Sequence, residues 1–114
     1  MTRSERYLEY RVQHILEDEG FLVINPAGSK PFDLVAVKRG VVYLIEVKGR
    51  DTRYSREQYE RQVEMANRAE CNMAVIRKAK ERGKVLFSMP VLYDSFLPLL
   101  DALRRHFDVE VVMQ

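Results

Sequence analysis

The stretch PFDLVAVKRGVVYLIEVK, residues 31–48, decides the fold class. Two apolar runs, FDLVAV at 32–37 and VVYLIEV at 41–47, are rich in β-branched residues. Lys38-Arg39-Gly40 between them has the length and composition of a hairpin turn. Two adjacent strands are therefore predicted. Each run is interrupted by one acid, Asp33 in the first and Glu46 in the second, and Lys48 follows immediately. Strand residues two apart share a face, so Glu46 and Lys48 project together, about 7 Å apart along the chain. Folding the first strand back on the second brings Asp33 close to Glu46 across the ladder.

Outward from this hairpin the periodicity changes repeatedly. On its N-terminal side, Leu8, Val12, Ile15 and Leu16 form an apolar stripe at helical spacing, which predicts a helix over 4–18 with Thr2 or Ser4 as cap and Gly20 as stop. FLVIN at 21–25 reads as a strand and 26–31 as a loop. On the C-terminal side comes a polar loop, 49–54. Ser55-Arg-Glu-Gln58 then has the form of a capping box and opens a helix to about residue 70, with Tyr59, Val63 and Ala66 on one face. The capping box accounts for Gln58, although a helix glutamine could also lie beside a metal site. Strands are predicted at 73–77 and 84–88 around a basic turn at 78–83. A helix follows at 95–106, with Ser95 as cap and Pro98 in the first turn, and a last short strand at 109–113. The order α-β-β-β-α-β-β-α-β predicts an α/β fold with a mixed sheet and helices packed on its faces.

The chain has 114 residues, 46% of them hydrophobic and 32% charged, which fits one compact globular domain over 1–114. No apolar run is long enough to cross a bilayer, and the opening MTRSERYLEY lacks the apolar core of a signal peptide, so a cytoplasmic protein is expected. The single cysteine, Cys71, allows neither an internal disulfide nor a thiolate zinc site, and is expected half-buried between a helix and a strand. His14 and His106 have no metal-ligand spacing. The net charge is only +2, but its distribution is uneven. Four basic residues and one acid occupy 48–56, five and one occupy 77–84, and the acids concentrate in 17–19 and 57–70. Arginines outnumber lysines 13 to 6, and guanidinium forks suit phosphate oxygens. Two basic stretches on a near-neutral chain are consistent with a phosphate-binding surface, and equally with a solvated one.

Asp33, Glu46 and Lys48 are the candidate chemistry. Neighbouring carboxylates repel each other and are costly to bury unpaired. A bound Mg²⁺ resolves both problems, since it takes hard oxygen ligands and keeps some of its waters. Lys48 could then orient an attacking water, while the ion stabilises charge developing on a phosphodiester. A carboxylate–lysine ion pair at a sheet end is the plainer alternative. Charges interrupting two strongly apolar strands, beside a loop rich in Gly, Ser and Pro, favour the metal site.

Pro31-Phe-Asp33 followed by Glu46-Val-Lys48 on the next strand resembles the motif of the PD-(D/E)XK nuclease superfamily. Glu9 on the first helix, GFLVIN, AGSKPFDLVAV, YLIEVKGR, YSREQ and GKVLFSMP are similar, in order and spacing, to the archaeal-type Holliday junction resolvases. The similarity covers about residues 3–90 and fades over 91–114. It implies a restriction-endonuclease-like mixed sheet flanked by helices. It also implies a catalytic site in which Asp33, Glu46 and the carbonyl of Val47 hold Mg²⁺, with Mn²⁺ able to substitute. Lys48 would position the water, and Glu9 would complete the site through a water or a second ion. Ser29 and Lys30 would sit in a loop over the scissile phosphate. Some members carry Arg where this chain has Tyr10 and Asn25, which changes the expected phosphate contacts.

The resemblance implies a homodimer that cuts branched DNA, four-way junctions above all, by paired symmetric nicks in recombination and repair. Lys30, Arg50, Arg53, Arg56, Lys78 and Lys80 are the candidate DNA-binding residues. The apolar helix 95–106, with Phe96, Leu99, Leu100 and Leu103 and then Phe107, would pack one face on the sheet; the rest would serve a dimer contact or, equally, the whole stripe would be ordinary core. A flap- or duplex-cutting nuclease of the same fold, and a DNA-binding protein with a retired site, are the alternatives.

Overall fold

A computed structural model describes residues 3–28 and 30–112. The order of elements is α1 (Arg3–Asp18), β1 (Leu22–Ile24), β2 (Leu34–Lys38), β3 (Val41–Lys48), α2 (Arg56–Ala69), β4 (Asn72–Lys78), β5 (Lys84–Val91), α3 (Leu97–Arg104) and β6 (Asp108–Val111). The strands form one six-stranded sheet in the order β1-β2-β3-β4-β5-β6. The β3–β4 and β5–β6 pairs are parallel, and the other three are antiparallel. This is the mixed α/β sheet that the order of elements predicts.

The hairpin at its centre turns on two residues, Arg39 at φ 53° and Gly40 at φ 80°, with Lys38 paired to Val41. Positive φ at both central positions matches the right-handed twist of the flanking strands. Alternation along β3 then sorts side chains between two cores. Tyr43, Ile45 and Val47 join Leu8, Val12, Leu16 and the α3 leucines under α1 and α3. On the other face, Phe32, Ala66, Met73 and Val75 pack under α2 together with Leu44, Tyr59 and Val63. Glu46 and Lys48 fall on the α2 face because they continue the Leu44 parity.

Several boundaries differ from expectation. β2 begins at Leu34, not at residue 32, so Asp33 lies one position ahead of the strand. Ser4 lies inside α1, not at its cap, and Thr2 is outside the described residues. β5 runs on to Val91 through Pro90. Pro90 falls where the β4–β5 register shifts between Met73 and Val75, and β6 is paired only as far as Phe87, so the N–H that Pro90 lacks lies at an irregularity of the ladder. α3 is shorter than 95–106, beginning at Leu97 with its N–H donated to Ser95 Oγ at 3.1 Å and ending at Arg104. β6 is Asp108–Val111, and Met113 is outside the described residues. Cys71 is half-buried between α2 and β4, as expected. No helix is long and apolar enough to cross a membrane.

Candidate active site

Four charged side chains, Glu9, Asp33, Glu46 and Lys48, are buried at the end of the sheet where β3 finishes and β2 begins. Burial of four ionisable groups in so small a chain runs against their solvation preference and needs a specific compensation. The backbone supplies the first part. Leu34 pairs with Ile45, and the Asp33 N–H donates to the Ile45 carbonyl at 3.1 Å, so Asp33 continues the ladder toward Glu46. The Asp33 carboxylate is held by the Val47 N–H, 2.8 Å from Oδ2. Lys48, two residues beyond Glu46 on the same face, brings Nζ to 3.2 Å from Glu46 Oε2 and lies 4.8 Å from the centre of the Tyr54 ring. Glu9 arrives from α1, anchored through Leu8 and Val12, and its Oε1 is 3.8 Å from Lys30 Nζ.

Glu46 is gripped from α2. Gln58 donates to Oε2 at 3.2 Å and Gln62 donates to Oε1 at 3.0 Å. Both glutamines lie on one face because they are four residues apart on a helix. The amide orientation of Gln62 follows from its partners. Its NH₂ group also serves the Pro31 carbonyl at 2.7 Å, while its oxygen accepts from the Tyr54 hydroxyl. Gln62 is thus a fixed strut between the loop before Asp33 and the Glu46 carboxylate. The capping box at residues 55–58 includes Gln58, and no local pattern singles out Gln62. The cap exists, since Ser55 Oγ accepts from the Gln58 N–H at 3.1 Å, but that bond uses only the backbone of Gln58. The side chain is free to reach Glu46, so the capping box does not account for it.

Two further residues shape the site. Glu5, one turn before Glu9, is buried and accepts from the Gly49 N–H at 3.2 Å. Arg77, beside Lys48 in the β3–β4 register, donates to the carbonyls of Gly49 and Thr52 at 3.0 and 2.8 Å. Together they hold the turn that follows Lys48. The i, i+4 spacing of Glu5 with Glu9 and of Gln58 with Gln62 puts each pair on one helix face but does not say what that face meets.

Electrostatics register the crowding of anions. Burial, then the charge of Asp33, push Glu46 up to about 7 against the opposing pull of Lys48. Burial and Asp33 also raise Glu9, against Lys30. Burial and the Glu46 charge hold the Tyr54 hydroxyl in its protonated form, so it remains the donor to Gln62. Glu9 Oε1 is buried with no hydrogen-bond partner. Among the described residues no three Asp, Glu, His or Cys side chains stand close enough to enclose an ion by themselves. The donor set is therefore open, with hard oxygens from separate elements and one of them unsatisfied. That suits Mg²⁺, which dehydrates reluctantly and is commonly held by one or two carboxylates.

The other sequence candidates fall as follows. Ser29 lies outside the described residues. Lys30 joins the site through Glu9, and Asn25, standing where some relatives carry Arg, accepts from Lys30 at 3.5 Å. The basic stretches 48–56 and 77–84 begin at the same sheet end, because Lys48 pairs with Arg77. Part of each is used internally. Arg50 is 3.4 Å from Asp51, Arg56 is 3.5 Å from Glu60, and Lys78 donates to the carbonyls of Ala79 and Glu81. Arg53 and Lys80 are exposed, with no ion-pair partner among the described residues. His14 and His106 face Glu17 and Glu19, away from the carboxylates of the site.

A mixed sheet whose adjacent strand ends carry Asp33 and Glu46-Val-Lys48, joined by a glutamate from the first helix, has the form of a PD-(D/E)XK nuclease site. Residues 2–95 match the archaeal Holliday junction resolvase (Hjc) family, and the chain belongs to that family. The solved structure of Archaeoglobus fulgidus Hjc, a Holliday junction resolvase from an archaeal hyperthermophile, resembles it with a TM-score of 0.58 at 30% identity, over 71% of this chain and 72% of that one. The crossover junction endodeoxyribonuclease Hjc of Methanocaldococcus jannaschii is 44% identical over 46 residues, which are 40% of this chain and 35% of that protein. The chain thus aligns with about a third of the length of that curated relative.

Proposed function

We propose that this chain is a Mg²⁺-dependent endonuclease that hydrolyses phosphodiesters in branched DNA and resolves four-way junctions, acting as a homodimer in the cytoplasm. The observation that carries the reading is the burial of Asp33, Glu46 and Lys48 together at one sheet end, in a chain of the resolvase family. Asp33 and Glu46 would hold the ion with the Val47 carbonyl, and Glu9 would complete the site. When bound, the ion supplies Lewis-acid stabilisation to charge developing on the phosphate. Gln58 and Gln62 fix the Glu46 carboxylate, so that no side chain has to reorganise as the reaction proceeds. Lys48, held between Glu46 and the Tyr54 ring, orients the attacking water. Water adds at phosphorus and gives up a proton to solvent, the bridging P–O bond breaks, the leaving oxygen takes up a proton, and one strand is nicked. A retired, DNA-binding-only site is disfavoured, because all four charged residues are kept together at the sheet end and Glu9 Oε1 is buried with no hydrogen-bond partner, a cost that a bound ion would offset.

The test is cleavage of labelled four-way junction, flap and linear duplex, each with Mg²⁺ and with chelator. Metal-dependent cutting of the junction in preference to duplex is expected. Preferential cutting of flaps would assign the same site to another task, and no cutting of any substrate would reject the nuclease reading.

A further inference from the structure

The first three turns of α1 separate their charges by face. Both acids, Glu5 and Glu9, are turned inward and buried at the sheet end. The exposed residues of the same turns are Arg3, Ser4, Arg6, Tyr7 and Tyr10, with no acid among them. Tyr7 is 64% exposed and Tyr10 60%. Arg3, Arg6, Tyr7 and Tyr10 line one shallow concavity of about 520 Å³. The exposed arginines of α2 are, by contrast, neutralised within their own helix, Arg56 by Glu60, Arg61 by Glu57 and Arg68 by Glu64. Arg3 and Arg6 have no ion-pair partner among the described residues. Tyr10 is held by a ring contact with His14, with centroids 4.3 Å apart, so its face is partly pre-positioned. Two large aromatic rings kept in water, interleaved with two unneutralised guanidinium groups, have no packing role to explain them.

We propose that this outward face of α1 is a stacking platform for DNA, on which a nucleobase left without a stacking neighbour at the branch point lies against Tyr7 and Tyr10 while Arg3 and Arg6 contact the flanking phosphates. The inference rests on the branched-DNA reading of the site and assigns a specificity surface to it. Its chemistry is that of single-strand recognition, in which aromatic faces take bases irrespective of sequence and cations follow the backbone. The platform and the buried site share α1, with Tyr10 directly following Glu9, the first exposed and the second buried. An intact duplex offers no unstacked base, so the platform adds affinity for branched DNA alone. Arg3 and Arg6 contribute to both substrates through charge.

The experiment uses the full chain in chelator, so that no strand is cut, and a four-way junction carrying 2-aminopurine at the crossover. Wild-type binding is expected to change the probe's fluorescence. The double variant Tyr7→Ala, Tyr10→Ala is expected to lose that change and to bind the junction about 10-fold or more weakly. Linear duplex should be bound as before, and Tyr7→Phe, Tyr10→Phe should restore junction binding. Thermal melting of each variant confirms that the fold is intact, as the exposure of both tyrosines requires. Unchanged junction affinity, or an equal loss on duplex and junction, would overturn the proposal. So would loss of binding accompanied by dissociation in sedimentation, which would assign the face to a second copy of the chain. Wild-type cleavage with Mg²⁺ is run in parallel. If the wild type cuts junctions but the tyrosines prove dispensable, the platform alone fails, whereas a wild type that neither binds nor cuts junctions removes the nuclease reading with it.

Discussion

Glu46 is the residue on which the site depends, and its surroundings make its behaviour testable. Its carboxyl titrates near 7 because it is buried and faces Asp33. In the unfolded chain it titrates near the ordinary 4.5. Between those values the folded state keeps a proton that the unfolded state has released, so this group makes stability fall as pH rises from about 4.5 to about 7, with no further change above. The effect is on the order of 3 kcal/mol. Melting curves from pH 5 to 8 in chelator should show the decline, Glu46→Gln should remove it, and Mg²⁺ should offset it at the alkaline end by favouring the anion. A Glu46→Gln variant with an unchanged pH profile would show that the carboxylate titrates normally. Asp33→Asn is expected to abolish cleavage and keep junction binding, since it removes a ligand and not a phosphate contact. Lys48→Ala should lower turnover far more than affinity. Cleavage assays beside gel-shift binding separate these outcomes, and a near-wild-type cutting rate in either variant would move the site elsewhere.

At the scale of elements, α2 is a working part of the site as well as a cover for the sheet. Its Gln62 ties the Pro31 carbonyl to Glu46, so Gln62→Ala should misorient the carboxylate and lower kcat about 10- to 100-fold. Gln62→Glu places a second acid against Glu46 and should be worse than Gln62→Ala. Equal activity of Gln62→Ala and wild type would make the strut dispensable. The hairpin and its three charged residues were legible in the sequence because period-two alternation, a Gly-containing turn and charges within apolar runs are all local signals. Gln62 and Glu5 were not legible, since their importance comes from what faces them across the fold. Gln58 shows the limit most clearly. A local motif matches the residue type, while the contact that its side chain makes lies 12 residues away on β3. The early start expected for β2 has the same origin, because nothing in FDLVAV says that Asp33 will turn its carboxylate to the Val47 N–H and not enter the strand. The resemblance fades beyond residue 90, yet the order of elements there held, since helical spacing and capping chemistry need no family to be read.

For the whole molecule, the charge distribution makes a prediction about salt. Arg53 and Lys80 are exposed and unneutralised near the sheet end that holds the site, whereas Arg56 has Glu60 beside it. Replacing Arg53 and Lys80 with Ala should therefore reduce the magnitude of the slope of log affinity against log salt by roughly 2, and Arg56→Ala should change it less. An unchanged slope in the double variant would place the DNA on another surface. Oligomeric state follows from the reaction. One Asp33–Glu46–Lys48 constellation cuts one strand, and resolving a four-way junction needs two nicks at symmetric positions before the branch migrates. Two copies related by a two-fold axis supply two sites at fixed spacing through one self-complementary patch. α3 offers such a patch. Leu99, Leu100, Ala102 and Leu103 face the core, while Phe96 and Leu97, with Leu92 and Tyr93 just before them, remain exposed. The chain is expected to sediment as a dimer at micromolar concentration, and Phe96→Glu with Leu97→Glu to shift it to monomer. The separated subunits should still nick one strand with Mg²⁺ but lose the pairing of cuts, so a supercoiled cruciform would relax to nicked circles and not open to linear product. Dimers unaffected by the two glutamates would place the contact on another face. A wild-type monomer that cuts duplex and junction equally would reject resolution by paired nicks, leaving the metal-dependent nuclease site unaffected.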